Sequence, residues 1–256
     1  MDQPQKAKLP GVGALFTETW NLYRSRAITL ITIGVLSTIA LFITSFLFGL
    51  IGGFASPEAQ QANAHPLLAF LSALTNLVLV VIISVWQSAA LVIAILRFDQ
   101  NLSPVECYKQ AWKYVLKYFL VMLIFMIFMF GGMVLLVIPA VYLGVILGFA
   151  PVIIIAEEGQ AKVWSSFKRS RFYAKGYWWA IFGRYLFLLL VLLCFTLLMG
   201  LVVFFPLSLI AMAVKPVGNQ FQQIGSAIVD IFLTPFSFAY WILLYTHLKK
   251  IKYAAE

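Results

Sequence analysis

Six long runs of apolar residues divide the chain, and they restrict it to folds that a lipid bilayer can accommodate. The runs cover residues 27–54, 67–96, 118–138, 139–156, 177–205 and 224–247. A helix needs about 20 apolar residues to cross the hydrocarbon core of a membrane. With 63% hydrophobic and only 11% charged residues, the chain cannot hide its apolar surface in one water-soluble core. The sequence therefore predicts an all-α polytopic membrane protein.

The Lys and Arg residues are distributed just as unevenly. Seventeen of the eighteen fall in four stretches on alternate sides of the apolar runs, covering residues 6–26, 97–117, 162–184 and 249–252. Because Lys and Arg in short loops mark the cytoplasmic side, this pattern predicts a bacterial inner-membrane protein with cytoplasmic N- and C-termini. Cations beside membrane spans also make anionic phospholipid, rather than nucleic acid, the expected partner for a net charge of +9.

The region between Lys117 and Glu157 contains 39 uncharged residues and has a predicted cytoplasmic segment on each side. An even number of crossings is therefore required. Two spans of about 20 residues fill this length, with a tight turn at Ile138-Pro139. The other two pairs of runs are joined by short loops, the polar residues 55–66 and residues 206–223, which contain Lys215-Pro216. The sequence thus predicts six transmembrane helices arranged as three hairpins.

Each predicted hairpin is preceded by a segment with helical periodicity. The apolar faces of the three segments contain, in turn, Val12, Leu15, Phe16, Thr19, Trp20 and Tyr23; Val105, Tyr108, Ala111, Trp112 and Val115; and Val163, Trp164, Phe167 and Ala174. Charged residues occupy the other faces, except that Arg171 falls on the third apolar stripe. Such amphipathic helices lie in the membrane interface. We therefore predict one membrane domain, residues 1–256, with repeat units of about 11–96, 103–158 and 161–248.

Local signals refine this plan. Ser103-Pro104 is typical of a helix N-cap followed by proline at the first helical position, and Gly176 is typical of a helix stop. Ala140, Gly144 and Gly148 recur at four-residue spacing on the fourth run. Small residues at that interval let helix backbones approach closely, so we expect the fourth span at the centre of the bundle.

The middle of the chain carries a family resemblance. The residues concerned are Ile138 to Tyr142, Phe149 to Ile154, Glu157, Ser165 to Ser170 and Lys175 to Trp179, about a quarter of the chain. In this order they resemble the membrane domain of a glycerophosphodiester phosphodiesterase family and of related uncharacterised bacterial inner-membrane proteins. Ala140 stands where that family usually has glycine. The resemblance implies the fold, but the catalytic barrel of the phosphodiesterases is not expected here, and neither is their activity.

The densest group of cations is interleaved with aromatic residues, a combination that favours binding of phospholipid head groups. The candidate head-group ligands are Lys162, Lys168, Arg169, Arg171, Lys175, Trp178 and Trp179. The alternative is that these residues only set the topology and form the aromatic belt that membrane proteins need.

Three polar residues lie within apolar runs. Asp230 is expected about two turns from the outer end of the last run, where a charge costs about 2.5–3.5 kcal/mol unless it faces the bundle interior, is protonated or meets a partner. Asn76 and Gln87 of the second run could form a polar track with it. The functional interpretation is a proton or cation site, and the structural one is hydrogen bonding between helices.

No residue pattern predicts catalysis, a cofactor or a metal site. His65 and His247 are expected on opposite faces of the membrane, and Cys107 and Cys194 are too separated to predict a disulfide. The sequence therefore predicts a non-enzymatic scaffold or lipid-associated accessory protein, with anionic phospholipids and either another membrane protein or a second copy as partners. The alternative is a small transporter or channel built around Asp230.

Overall fold

The computed structural model describes residues 9–53, 66–135, 137–157, 162–206 and 218–253, and this part of the chain contains helices and no strand. The helices are α1 (Val12–Ser25), α2 (Ala27–Gly53), α3 (Pro66–Leu96), α4 (Pro104–Trp112), α5 (Val115–Leu135), α6 (Val137–Leu147), α7 (Ala150–Ala156), α8 (Val163–Ala174), α9 (Trp178–Met199) and α10 (Gly218–Tyr253). A 3₁₀ turn, Phe98–Gln100, follows α3, and a π-helical segment, Gly200–Phe204, follows α9.

Six helical stretches in these residues are long and apolar enough to cross a membrane. They are Ala27–Phe48, Phe70–Leu96, Val115–Val134, Val137–Ala156, Trp178–Val202 and Gly225–Tyr253. The chain is therefore an all-α, multi-pass membrane protein by length and composition. Residues 54–65 and 207–217, which hold most of the two predicted outer loops together with His65 and Lys215, lie outside the described residues.

The local signals fix two helix ends. At the start of α4 the Ser103 side chain accepts a hydrogen bond from the Glu106 amide at 3.3 Å, and the Glu106 carboxylate accepts one from the Ser103 amide at 2.8 Å. This reciprocal capping lowers the pKa of Glu106. Gly176 ends the segment after α8 with a φ of 87°, which glycine adopts at little cost. Both sequence predictions are confirmed.

The fourth span is interrupted between α6 and α7. Pro151 has no amide hydrogen, so it cannot close a helical bond to the carbonyl of Leu147, where α6 ends. Two neighbouring carbonyls gain side-chain donors instead: Ser170 Oγ donates to Ile146 O at 2.6 Å, and Trp241 Nε1 donates to Gly148 O at 3.2 Å. The interruption is thus closed by side chains of α8 and α10.

The four basic stretches meet at one end of the bundle. Arg26 donates to the carbonyl of Phe98, and Arg184 donates to the carbonyl of Pro10. His247 Nε2 lies 2.7 Å from a carboxylate oxygen of Glu18, and Lys252 Nζ donates to Lys175 O at 3.1 Å. The contacts of Arg26, Arg184 and Lys252 join the four basic stretches to one another, and we name this region the basic end.

The packed core lies at the basic end. Residues 89–95 of α3 and residues 145–155 around the α6–α7 interruption are buried, as are most residues between 239 and 248 of α10. The far halves of the long helices are mostly exposed, so Leu91 of α3 is 0% exposed while Leu77 is 57% exposed. The six long stretches therefore converge at one end and separate towards the other.

The fourth span is the most buried of the six candidate spans. A Cβ atom on Gly132 of α5 would lie 2.9 Å from the Cα atom of Ala140, and one on Gly148 would lie 2.6 Å from Trp241. Both glycines thus permit an approach that any side chain would block. The small residues of the fourth span serve close helix packing, as the sequence predicts.

The short helices α4 and α8 each pack on the pair of long helices before them in the chain. In the first pair α2 packs closely on α3, and α4 contacts both. Tyr108 of α4 donates its hydroxyl to Ile33 O of α2 at 2.8 Å, and Trp86 Nε1 of α3 donates to Tyr108 O at 2.8 Å. In the second pair α5 packs closely on α6, and α8 contacts both helices. Ser170 of α8 bonds to Ile146 of α6, and the Phe167 ring lies 5.9 Å from the ring of Phe128 on α5.

The N-terminal helix completes this arrangement on the last pair. Phe16 of α1 lies 6.0 Å from Phe187 of α9 and 5.5 Å from Phe236 of α10, between ring centroids. α1 packs far more extensively on α10 than on α2, its neighbour in sequence. The packing of α1 in space thus differs from the chain order of the predicted repeat units, in which each short helix precedes a pair. Chain order identifies neighbours in sequence, whereas the aromatic faces select neighbours in space.

Candidate functional site

Helix α8 presents two distinct faces. Its buried residues are Ser166, Phe167, Ser170, Tyr173 and Ala174. Trp164, a member of the predicted apolar stripe, is 56% exposed and does not belong to the face that is buried in the protein. Arg171 is exposed too and does not interrupt the buried face.

The exposed face of α8 carries a cationic stripe, which we define as Trp164, Lys168, Arg171 and Lys175. These residues are spaced by four, three and four positions, which places them within about 60° of arc on a helix of 3.6 residues per turn. All four are exposed. Among the described residues no carboxylate pairs with the three cations. The stripe is therefore a surface with uncompensated positive charge.

Arg169 is separated from this stripe by an ion pair. Its guanidinium contacts the carboxylate of Glu157, at the end of α7. That hydrogen bond raises the pKa of Arg169. Tyr173 lies near the same pair, and burial together with the neighbouring Tyr253 raises its pKa. Arg169 thus joins α8 to α7, and its charge is compensated within the protein.

The remaining predicted head-group ligands have different environments. Lys162 is exposed before the start of α8, on another side of the helix from the stripe. Trp178 is half-buried, with its ring 6.0 Å from that of Tyr142 and 5.1 Å from that of Phe182. Trp179 is 77% exposed. The structure therefore brings together only Lys168, Arg171 and Lys175 of the five predicted cations.

Lys252 holds the turn next to the stripe, a role that sequence reasoning missed. Its ammonium donates to Lys175 O and lies 5.3 Å from the Phe172 ring centroid and 5.6 Å from that of Tyr177. Cation–π contacts of this kind orient a cation without a carboxylate. No local pattern pairs residue 252 with residues about 75–80 positions earlier, so only the fold shows this contact.

Arg184 is buried near the start of α9, with 8% of its surface exposed. It donates to Ala180 O at 2.7 Å and to Pro10 O, while Tyr240 donates its hydroxyl to the Arg184 carbonyl at 3.2 Å. The guanidinium therefore fastens the segment before α1 onto the last pair of helices. Its contacts are therefore structural.

The predicted polar track takes a different form in the structure. Asp230 is exposed on α10 and makes no hydrogen bond or ion pair within the described part of the chain. The possibility that it faces the bundle interior is therefore wrong. Asn76 and Gln87 are half-buried on α3, and the structure records no hydrogen bond joining any two of the three in the described ranges.

The structure also gives the position of Asp230 along α10. Its neighbour Ile231 lies against Gly34, where an added Cβ atom would be 3.4 Å from the Ile231 carbonyl oxygen. Gly34 follows Ile33, the residue that accepts the hydrogen bond from α4. Asp230 therefore lies next to the residue that packs on α2, about 18 Å along α10 from its start at a rise of 1.5 Å per residue.

The described residues contain no cluster of three or more His, Cys, Asp or Glu side chains that could hold a metal ion. Cys107 is buried and Cys194 exposed, and neither forms a disulfide. Burial raises the pKa of Cys107 to about 11, which keeps the thiol protonated and unreactive.

Comparisons with known proteins identify no relative. No protein-family model, curated protein or solved structure matches this chain. The resemblance to the phosphodiesterase membrane domain therefore remains a prediction.

Proposed function

We propose that this chain is a non-enzymatic, lipid-associated scaffold of a bacterial inner membrane, and that the cationic stripe of α8 binds anionic phospholipid head groups. The basic end and both termini then face the cytoplasm, and α1, α4 and α8 lie in the interface, each closing one of three repeated hairpins. The observation that supports this best is the stripe itself: three cations on one exposed face, without compensating carboxylates in the described residues.

The energetics of the stripe favour an anionic surface. Like charges at neighbouring helical positions repel each other, so α8 is stabilised when external anions approach these cations. Each Lys or Arg near an anionic membrane contributes about 1 kcal/mol, so three contribute about 3 kcal/mol, or roughly a hundredfold in affinity. Trp164 at one end of the stripe supplies an amphipathic ring of the kind enriched at head-group level.

The same geometry limits the role of the other candidates. Arg169 is compensated by Glu157 and Arg184 is buried against backbone carbonyls, so we expect neither to bind lipid. We propose no transport function. Asp230 is exposed on α10, and the interruption of the fourth span is closed by Ser170 and Trp241 rather than left to line a cavity.

The test compares two triple variants with the same change in charge. Lys168→Gln/Arg171→Gln/Lys175→Gln removes the stripe, and Lys109→Gln/Lys113→Gln/Lys162→Gln removes three exposed cations elsewhere. Native mass spectrometry after detergent exchange counts the anionic phospholipids that remain bound. We expect the first variant to lose most of them and the second to keep them. Equal retention by both variants would overturn the proposal.

A further inference from the structure

Helix α10 has two open sides in its membrane-spanning part, and they differ in chemistry. One side is apolar: Ile228 is 52% exposed and Phe232 is 45% exposed. The opposite side carries a polar face, which we define as Ser226, Asp230, Thr234 and Ser237. The first two of these residues are exposed and the other two are half-buried. Their spacing of four, four and three positions places them within about 80° of arc on the helix.

The contacts of α10 show where the polar face points. Ile231, about 100° to one side of Asp230, packs on Gly34 of α2. Tyr240, about 80° to the other side, donates its hydroxyl to the carbonyl of Arg184 on α9. The polar face therefore points into the gap between α2 and α9.

This gap is filled only towards the basic end. Trp241 lies about 20° from Asp230 around the helix, and its Nε1 donates to the carbonyl of Gly148, between α6 and α7. Eleven residues, about 16 Å of helix, separate Trp241 from Asp230. Asp230 itself is exposed, so the fourth span does not cover the polar face at that level.

Asp230 lies within the apolar length of two neighbouring spans. Its own candidate span is Gly225–Tyr253. On α2, Gly34 is eight residues, about 12 Å, beyond Arg26 and fourteen residues, about 21 Å, before Phe48 at the end of that span. A carboxyl group exposed to hydrocarbon loses the hydrogen bonds that it makes in water and is strongly disfavoured. The polar face therefore calls for a covering partner.

The chemistry of the polar face fits another transmembrane helix. Serine and threonine are small enough to let two helix backbones approach closely, and their hydroxyls form hydrogen bonds between helices. A carboxylate within a membrane is stabilised best by a Lys or Arg side chain at the same depth. Lipid acyl chains alone match the apolar side that carries Ile228 and Phe232, but not the polar face.

A second copy of this chain does not supply the cation. In the described residues, the Lys and Arg side chains within the six candidate spans all belong to the basic end: Lys117, Arg184, Lys249, Lys250 and Lys252. A copy with the same orientation in the membrane keeps these cations at that end. A twofold dimer through the polar face would instead bring the two Asp230 carboxyl groups together.

We propose that the polar face of α10 docks a transmembrane helix of a different membrane protein, and that this helix presents a Lys or Arg side chain to Asp230. The hydroxyls of the face then form hydrogen bonds across the contact. The polar face shares no residue with the cationic stripe of α8, so docking here is independent of lipid binding there.

Energy transfer to synthetic helices tests this proposal. The exposed Cys194 is labelled with a donor fluorophore, with the buried Cys107 retained, and the protein is reconstituted in phosphatidylcholine vesicles. The probes are two acceptor-labelled Leu-Ala peptides long enough to span the bilayer, identical except for one Lys or one Leu at the centre. The matched control is Ile228→Ala/Phe232→Ala on the apolar side of α10.

We expect the Lys peptide to associate with the wild-type protein at least tenfold more tightly than the Leu peptide. Asp230→Asn should reduce this preference to less than twofold, whereas Asp230→Glu and the Ile228→Ala/Phe232→Ala control should keep it. Native mass spectrometry should find lipid retention in Asp230→Asn equal to that of the wild type, which separates this proposal from the one on α8.

Two results would overturn the proposal. The first is equal association of the two peptides with the wild-type protein, or an undiminished preference in Asp230→Asn. The second comes from mixing donor-labelled and acceptor-labelled protein without peptide: energy transfer that disappears in Asp230→Asn would show that a second copy covers the polar face.

Discussion

The two halves of α3 are both apolar in sequence but differ in what surrounds their side chains. At the basic end, leucines and isoleucines of α3 contact α4, α10 and the interrupted fourth span and are fully buried. At the far end of the same helix, comparable residues are exposed. Hydrocarbon solvates those side chains as well as a protein core does, so the separation of the far halves costs little. Tertiary stability should therefore depend on the basic end.

The largest expected difference is between two identical substitutions on α3. Leu91→Ala at the basic end creates a cavity and should lower the free energy of unfolding by about 2–5 kcal/mol. Leu77→Ala, at a position that is 57% exposed, should change it by less than about 0.5 kcal/mol. Unfolding by sodium dodecyl sulfate in mixed micelles measures both. Similar losses for the two variants would show that the far half is packed as tightly as the basic end.

A smaller effect separates two glycines. Gly148→Ala places a methyl group against Trp241, and such overpacking costs about 1–3 kcal/mol. Gly183→Ala, on α9 with open space around it, should be neutral or stabilising by up to about 1 kcal/mol because alanine favours helix. Thermal unfolding in detergent measures both. A stable Gly148→Ala variant would contradict the close approach of α10 to the interruption.

Features determined by local chemistry could be predicted from the sequence. The six apolar stretches, the capping box at Ser103 and the glycine stop at Gly176 depend on residues that are close in the chain. The meeting of the basic stretches at one end follows from the positive-inside rule, because charge distribution constrains topology.

Features determined by contacts distant in sequence could not be predicted. The aromatic face of α1 indicates that this face is buried, but the sequence does not say against which helix. Only the fold shows that the partners are α9 and α10. Arg171 falls on the predicted apolar stripe of α8, and only the fold shows that Trp164 and Arg171 both lie on the exposed face of that helix. The cation–π contacts of Lys252 with Phe172 and Tyr177 depend on the position of the C-terminal end of α10 in the fold.

The packing of α1 on α9 and α10 joins the N-terminal segment to the last pair of helices at the basic end. One crosslinking measurement tests this packing directly. Phe16→Cys is combined with Phe236→Cys, or with Ile43→Cys on the far half of α2, in a Cys194→Ser background. A short bis-maleimide reagent is applied in membranes, and mass spectrometry identifies the linked peptides. We predict efficient crosslinking of position 16 to position 236 and none to position 43. Absence of the first crosslink, with α1 linked to α2 instead, would contradict this arrangement.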